Sequence, residues 1–444
     1  MLEYPFDSDY ILQNKRAIKK QLLQKPALLD KKIAVVSGTT IGELPKILEL
    51  FLLDAGIKPE MLVGEYARYY EEIVFDDGTL AAFKPDILFI NTNIHSIDAM
   101  PLAGESREAV DEKFKSVTAK FETVWKAAEK LGCPVIQNNF EYPRVRVMGN
   151  REAYDASGKI RFINRLNEYF ADHAERTMGF FINDINYLSS WYGLERWSDP
   201  TYYNAYKYAQ SPDAMPLLCQ SVANIIKSVF GKNKKALMLD LDNTLWGGVI
   251  GDDGVEGIKL GTEAPEGIAY SELQKYAKEL TGIGVILGVV SKNEDAAARS
   301  GFTHPSSTLK TDDFAIFLAN WNDKSSNLAA AAQTLSLGSD SFVFVDDNPA
   351  EREIVRSYSD GVTVVELGEP ERYAETVSAG GYFEVTSLSD DDRKRAAMYR
   401  ENAARATLEQ SFVNYGEYLD SLEMKGYFGP VTDERLARVT QLAN

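Results

Sequence analysis

Short apolar runs separated by helix-length segments recur along this chain and constrain its fold more than any other feature. From Lys32 the order is IAVVS, the helical stretch ELPKILELFLLDAG, PDILFIN, a long helix from Glu108 to Leu131, then PVIQN. A helix over 151–175, a strand at FFIND and a helix from Ala214 to Phe230 follow, and the set ends at GKNKK. The pattern then restarts: ALMLDLD, helix 266–281, GVILGVVS, helix 325–337, FVFVDD, helix 349–358 and VTVVEL, each apolar run bounded by Gly, Asp or Ser. Runs this short and apolar fit strands buried on both faces. Parallel strands need crossovers of a dozen or more residues, which the intervening helices supply. The fold class expected is α/β, with two doubly wound parallel-sheet domains and a C-terminal helical extension. The boundaries expected are a helical segment over 1–30, one α/β domain over 31–231, a second over 232–386, a helical extension over 387–424 and the start of a further unit over 425–444.

The length of 444 residues is enough for two to three cores. A formal net charge of −18 argues against a general electrostatic grip on nucleic acid or an anionic membrane. The N-terminal stretch MLEYPFDSDYILQNKRAIKKQLL has no apolar core of signal-peptide length, and later stretches such as GVILGVV are too short to span a bilayer. A cytoplasmic protein is expected. Residues 10–24 fit a basic amphipathic helix, read as a solvated face and not as an anchor. The two cysteines, Cys133 and Cys219, lie in no metal-binding or redox spacing, and His95, His173 and His304 offer little for histidine chemistry.

The second set of strands carries acids at its ends. Asp240 and Asp242 follow ALML, Ser291 follows GVILGVV, and Asp346 with Asp347 follows FVFV, while Lys324 begins the helix before that last strand. In an open parallel sheet the carboxyl ends of the strands share one edge, so these groups are expected in one crevice. Hard oxygen ligands from two places in the chain suit Mg²⁺, with Asp240, the Asp242 backbone carbonyl, Asp346 and Asp347 as its expected ligands. A carboxylate can attack phosphorus to give an aspartyl-phosphate, which makes Asp240 the expected nucleophile. Asp242 would serve as acid and base, and Ser291 and Lys324 would hold phosphoryl oxygens. Lys310 also lies between the hydroxyl and the final acids, so the lysine is the least determined member. The glycine-rich WGGVIGDDG suits a mobile hairpin on which Trp246 covers the crevice.

DLDNT with Ser291, Lys324 and the Asp346/Asp347 pair resembles the motif set of the haloacid dehalogenase superfamily. The longer strings DLDNTLWGGVIGDDG, VVSKNEDA, FAIFLANWNDKSSNL and FVFVDDNPAEREIVR resemble its FkbH-like branch. That resemblance implies a magnesium-dependent enzyme acting on an acyl phosphate, such as 1,3-bisphosphoglycerate, with glyceryl transfer to an acyl carrier protein. Members of that kind carry a cysteine before the Ser-Lys-Asn string, where this chain has Val290. A plain phosphatase of a sugar or glycerol phosphate in polysaccharide biosynthesis, and a noncatalytic scaffold, are the alternative readings. A phosphorylated small molecule is the expected partner, with a carrier protein as a possible second, and no nucleic acid or membrane.

Residues 32–230 resemble an SGNH-like domain, with Ser37 and Asn91 or Asn93 near the expected strand ends. The late histidine of working SGNH hydrolases is missing from SDPTYYNAYKYAQSP, so a degenerate domain that docks a partner or helps bind substrate is expected. Arg144, Arg146 and Arg151 are read as a solvated loop, and Tyr202, Tyr203, Tyr206 and Tyr208 as packing residues. The segment from GYFGPV resembles the opening of an acetyltransferase-like module, too short at Asn444 to fold as one.

Overall fold

The structure, a computed structural model, describes residues 2–25, 28–411 and 429–432. Two five-stranded sheets form, with all their strand pairs among the described residues parallel. The first contains β1 (Leu29–Ser37), β2 (Ile57–Val63), β3 (Ile87–Asn91), β4 (Val135–Asn138) and β5 (Phe180–Asn183), in the order β2-β1-β3-β4-β5. The second contains β6 (Ala236–Leu239), β7 (Ile286–Ser291), β8 (Phe314–Ala319), β9 (Phe342–Val345) and β10 (Thr363–Val364), in the order β10-β9-β6-β7-β8. Helices cover both faces, so the central strands are buried on both: every residue of β3, β6, β7 and β9 is buried.

The strand order fixes where chemistry can sit. From β6 the chain first winds outward through β7 and β8, then returns to the other side of β6 for β9 and β10. The crossovers therefore diverge between β6 and β9 and leave a crevice at their carboxyl ends, the place where open α/β sheets bind ligands. The equivalent switch in the first sheet lies at the ends of β1 and β3.

Several elements depart from the sequence reading. β2 and β8 were not expected as strands, because IKPEMLV carries Lys58, Pro59 and Glu60 on a sheet edge, and FAIFLA sits among polar turns. The helix expected over 151–175 begins only at Lys159, after a short 3-10 turn at Gly149–Ala153. The N-terminal helix, Ser8–Leu22, is not simply a solvated face: Ile11, Ile18 and Leu22 enter the first core, and Lys19 pairs with Glu49 at 2.7 Å. The C-terminal helix Asp390–Ser411 packs against β8, so it covers an edge strand of the second sheet and is more than an appendage. Ser389 caps it through the backbone N–H of Asp392 at 3.1 Å. Most of the segment resembling an acetyltransferase opening lies outside the described residues. No described helix is long and apolar enough to cross a membrane.

Candidate active site

Asp240 follows the last residue of β6, and its backbone N–H donates to the Val345 carbonyl at 2.9 Å, which ties it to the end of β9. The chain then turns sharply: Asn243 adopts φ +54°, a left-handed conformation that asparagine tolerates, and its Oδ1 accepts the Gly248 N–H at 2.9 Å. This turn aims Asp240 and Asp242 differently. Asp240 faces the crevice, whereas both Asp242 oxygens are held by donors: Trp246 Nε1 at 2.9 Å and the Ile250 N–H at 3.0 Å on Oδ1, and Asn293 Nδ2 at 2.8 Å on Oδ2.

Of the two lysines, Lys324 is the one that meets the acids. Lys324 is the first residue of the helix Lys324–Leu335, which Asp323 caps through the Ser326 N–H at 2.8 Å. Its ammonium, 3% exposed, lies 3.0 Å from Asp240 Oδ1 and also pairs with Asp346. Lys310 instead donates to the Phe302 carbonyl at 3.3 Å. The Ser291 hydroxyl is buried at the end of β7, close enough to Asp240 to favour its ionised form. Asp347 is anchored by Thr244, whose hydroxyl accepts the Asp347 N–H at 3.1 Å.

Asp240, Asp346 and Asp347 each offer an oxygen within 4.8 Å of the others'. Burial pushes the Asp240 carboxyl up to about 6; Lys324 opposes this and Asp346 adds to it. Asp346 and Asp347 are raised too, first by burial and then by neighbouring acids, against the pull of Lys324. Burial disfavours the charge of Lys324, yet Asp240 and Asp346 outweigh it and raise its pKa. Three carboxylates against one ammonium leave two negative charges in a desolvated site, which a divalent cation with oxygen preference would neutralise. The donor set therefore fits such an ion, with the Asp242 carbonyl available on the same loop.

The sequence did not single out two residues here. Asn293, in SKN, orients Asp242 and also lies 3.3 Å from the Ser291 hydroxyl. Arg352, 3% exposed, donates to the Asp346 and Asp347 carbonyls at 2.8 and 2.7 Å and to Glu366 at 2.7 Å, so it clamps the acidic loop from behind. Its only sequence signal was a basic residue six positions after the acids, on a helix face. The flap expected at WGGVIGDDG takes another form. Residues Ile250–Gly257 are helical, Gly247 bridges Lys259, and Trp246 is fully buried, packed where a Cβ on Gly301 would come within 2.7 Å of its ring. The indole is therefore a support under Asp242 and not a cover over the crevice.

In the first sheet Ser37 is 1% exposed, and its hydroxyl donates to the Asn91 carbonyl at 3.1 Å. Asn91 passes the chain on: Asn138 donates to it at 2.7 Å, Asn183 to Asn138 at 2.8 Å and Ser221 to Asn183 at 2.7 Å. A buried polar ladder across four strand ends thus occupies the position where an SGNH hydrolase would carry its nucleophile. Asn93 is bonded to Thr39 at 3.1 Å, and His95 stacks on Tyr203 with ring centroids 3.8 Å apart.

An α/β protein with a carboxylate, lysine and hydroxyl cluster at the switch point of its second sheet defines a haloacid dehalogenase-like class. Residues 32–227 match the family described as FkbH, N-terminal domain. The N-terminal part of the protein BF1531 from Bacteroides fragilis, which contains a phosphatase domain and was solved with Mg, is 30% identical with a TM-score of 0.77; the match covers 84% of this chain and 99% of that one. The chain belongs to the FkbH-like family of haloacid dehalogenase-type proteins. BT4096, a gut microbial diltiazem-metabolizing enzyme, matches at 14% identity and a TM-score of 0.33, over 49% of this chain and 51% of that one. That likeness carries no weight here. No curated protein matches the chain.

Proposed function

We propose that this protein is a Mg²⁺-dependent phosphatase working through an aspartyl-phosphate on Asp240, with an acyl phosphate as its substrate. The observation that carries this is the bridge from Lys324 to Asp240 and Asp346, with Asp347 and Ser291 converging on the same crevice. Asp240, Asp346, Asp347 and the Asp242 carbonyl would hold Mg²⁺, which when bound offsets charge on the phosphoryl oxygens and keeps Asp240 ionised. Asp240 attacks phosphorus, and the bond from phosphorus to the acyl oxygen breaks. Lys324 and Ser291 hold phosphoryl oxygens as charge shifts. The leaving group of an acyl phosphate departs as a carboxylate and needs no proton. Asp242, oriented by Asn293 and Trp246, is then needed to take a proton from the water that hydrolyses the aspartyl-phosphate. The BF1531 structure supports the metal and the class of chemistry.

The fate of the acyl group separates two versions of this function. Val290 is fully buried in the core and supplies no thiol. Cys219 is buried with its pKa raised by burial, and burial pushes Cys133 up to about 11, so neither is a ready thiolate. Attack on phosphorus frees glycerate as an unactivated carboxylate, so glyceryl transfer needs instead a thiol that attacks the acyl carbon while the carbon–oxygen bond breaks and phosphate leaves; that thiol must come from outside the chain, as that of an acyl carrier protein would. The test is Mg²⁺-dependent phosphate release from 1,3-bisphosphoglycerate, with and without holo-acyl carrier protein, beside Asp240→Asn. Release that requires the carrier, with glyceryl on its thiol, establishes transfer. Carrier-independent release above spontaneous hydrolysis establishes a phosphatase, and equal release by wild type and Asp240→Asn would overturn the reading.

A further inference from the structure

A second cleft lies where the two α/β units meet, on the edge of the second sheet opposite to Asp240. It is bounded by the helix Ile185–Tyr192, the helix Met215–Val229 and the segment from Glu375 to Glu384. That segment is fixed near the amino end of β6, where the Lys234 N–H donates to the Tyr382 carbonyl at 3.1 Å. The cleft encloses about 420 Å³, a volume within the range of small-molecule sites, which favour such domain boundaries.

Two features of the lining point to a ligand. Tyr187 and Trp191, four residues apart on one helix face, hold their rings nearly parallel, 6.2 Å between centroids and 21° between planes, and are 59% and 38% exposed. Beside them the Gln220 side chain, only 6% exposed, has no hydrogen-bond partner among the described residues. An amide this buried is normally satisfied, so its two donors and its acceptor are open to a molecule in the cleft. The charges of the cleft are already matched. Asp184 receives the Tyr187 N–H at 3.0 Å and Asn139 Nδ2 at 2.7 Å, Glu375 lies 3.4 Å from Arg372, and Glu384 feels Lys227. Lys227 itself donates to Asn224 Oδ1 at 2.8 Å and to the Gly381 carbonyl at 3.2 Å, and among the described residues no Lys, Arg or His lines the cleft.

We infer that this cleft is a binding site for a neutral sugar ring, stacked on Tyr187 and Trp191 and hydrogen-bonded by Gln220. A pyranose presents an apolar face of C–H bonds and an edge of hydroxyls that both donate and accept, which is what an aromatic platform beside an open amide complements. Phosphorylated ligands are disfavoured by the carboxylates and the lack of a free cation. The experiment titrates the full chain with methyl glucoside, methyl galactoside and N-acetylglucosamine, read by tryptophan fluorescence and saturation-transfer NMR. At least one is expected to bind saturably through its ring C–H protons. Trp191→Ala and the size-conserving Gln220→Leu should each weaken it about tenfold or more, with an unchanged circular dichroism spectrum and unchanged phosphate release. The inference is overturned if none of the three sugars saturates, if both variants bind as wild type does, or if spermidine competes the sugar away, since that would mark an amine site.

Discussion

Asp240 and Glu141 are both buried carboxyl groups, yet they ask different things of their surroundings. Asp240 sits against Lys324 and two further acids, so Asp240→Asn should lower phosphate release by roughly three orders of magnitude while leaving the fold intact, as thermal unfolding would show. Among the described residues Glu141 has no cation beside it. It is 3% exposed, accepts the Ile94 N–H at 3.2 Å, and burial pushes it up to about 7. A carboxyl raised in the folded state stabilises the protein fully below its unfolded value near 4.5, and that contribution is lost as pH rises through about 7. Glu141→Gln should therefore gain on wild type by roughly 3 kcal/mol between acid and alkaline pH, measured by denaturant unfolding across that window. A gain that does not grow with pH would show that Glu141 ionises freely in the fold. Trp246→Phe keeps the ring under Gly301 but removes the donor to Asp242. Turnover should fall roughly 30-fold in a steady-state assay, because a hydrogen bond to a carboxylate is worth about 2 kcal/mol.

The helix Pro349–Tyr358 shows how an element outside the crevice shapes it. Asn348 caps it through the Ala350 N–H at 2.9 Å, and its first full turn delivers Arg352 under the carbonyls of Asp346 and Asp347. Arg352→Met preserves length and burial but leaves two carbonyls without donors. Cation affinity should drop roughly 10- to 100-fold, the range found when supports behind metal ligands are removed, and Mg²⁺ titration of activity would measure it. An unchanged Mg²⁺ dependence would mean that the cap alone holds the loop. The helix Lys324–Leu335 does the same for Lys324, since the Asp323 cap and the reciprocal amide pair of Asn320 and Asn327 fix its first turn. A capped helix start is the common device by which this sheet edge holds charged groups without loop mobility.

Two sheets of the same size, each with its switch point, have taken opposite courses. In the first, strand ends are linked by side-chain amides from Ser37 to Ser221, with hydrogen bonds satisfied inside the fold. In the second, three acids are left with an excess of negative charge. Mg²⁺ at about one hundred times its dissociation constant should stabilise the protein by about 2.7 kcal/mol, seen as a higher melting temperature that chelation reverses and Asp240→Asn reduces. Absence of any shift would argue against a cation at these acids. Much of this architecture was legible in the sequence, because buried parallel strands must be short, apolar and separated by crossovers, and both sheets have this signature. The convergence of Asp240, Ser291, Lys324 and the Asp346/Asp347 pair was legible for the same reason, since strand ends of one sheet share an edge. Local pattern could not decide between Lys324 and Lys310, place Trp246 beneath Asp242, or reveal Arg352 and Asn293. The lysine and Asn293 depend on side chains that meet across 50 to 100 residues of chain, as when Asn293 reaches Asp242, whereas Trp246 and Arg352 meet near neighbours whose orientation the turn and the helix start decide. Sequence by itself determined the period of the elements and the chemistry at their ends, both local properties. Only the tertiary structure decided which lysine is buried with the acids, which serine is spent in a hydrogen-bond ladder and which indole lies in the core, because burial and partnership are properties of packing between distant segments.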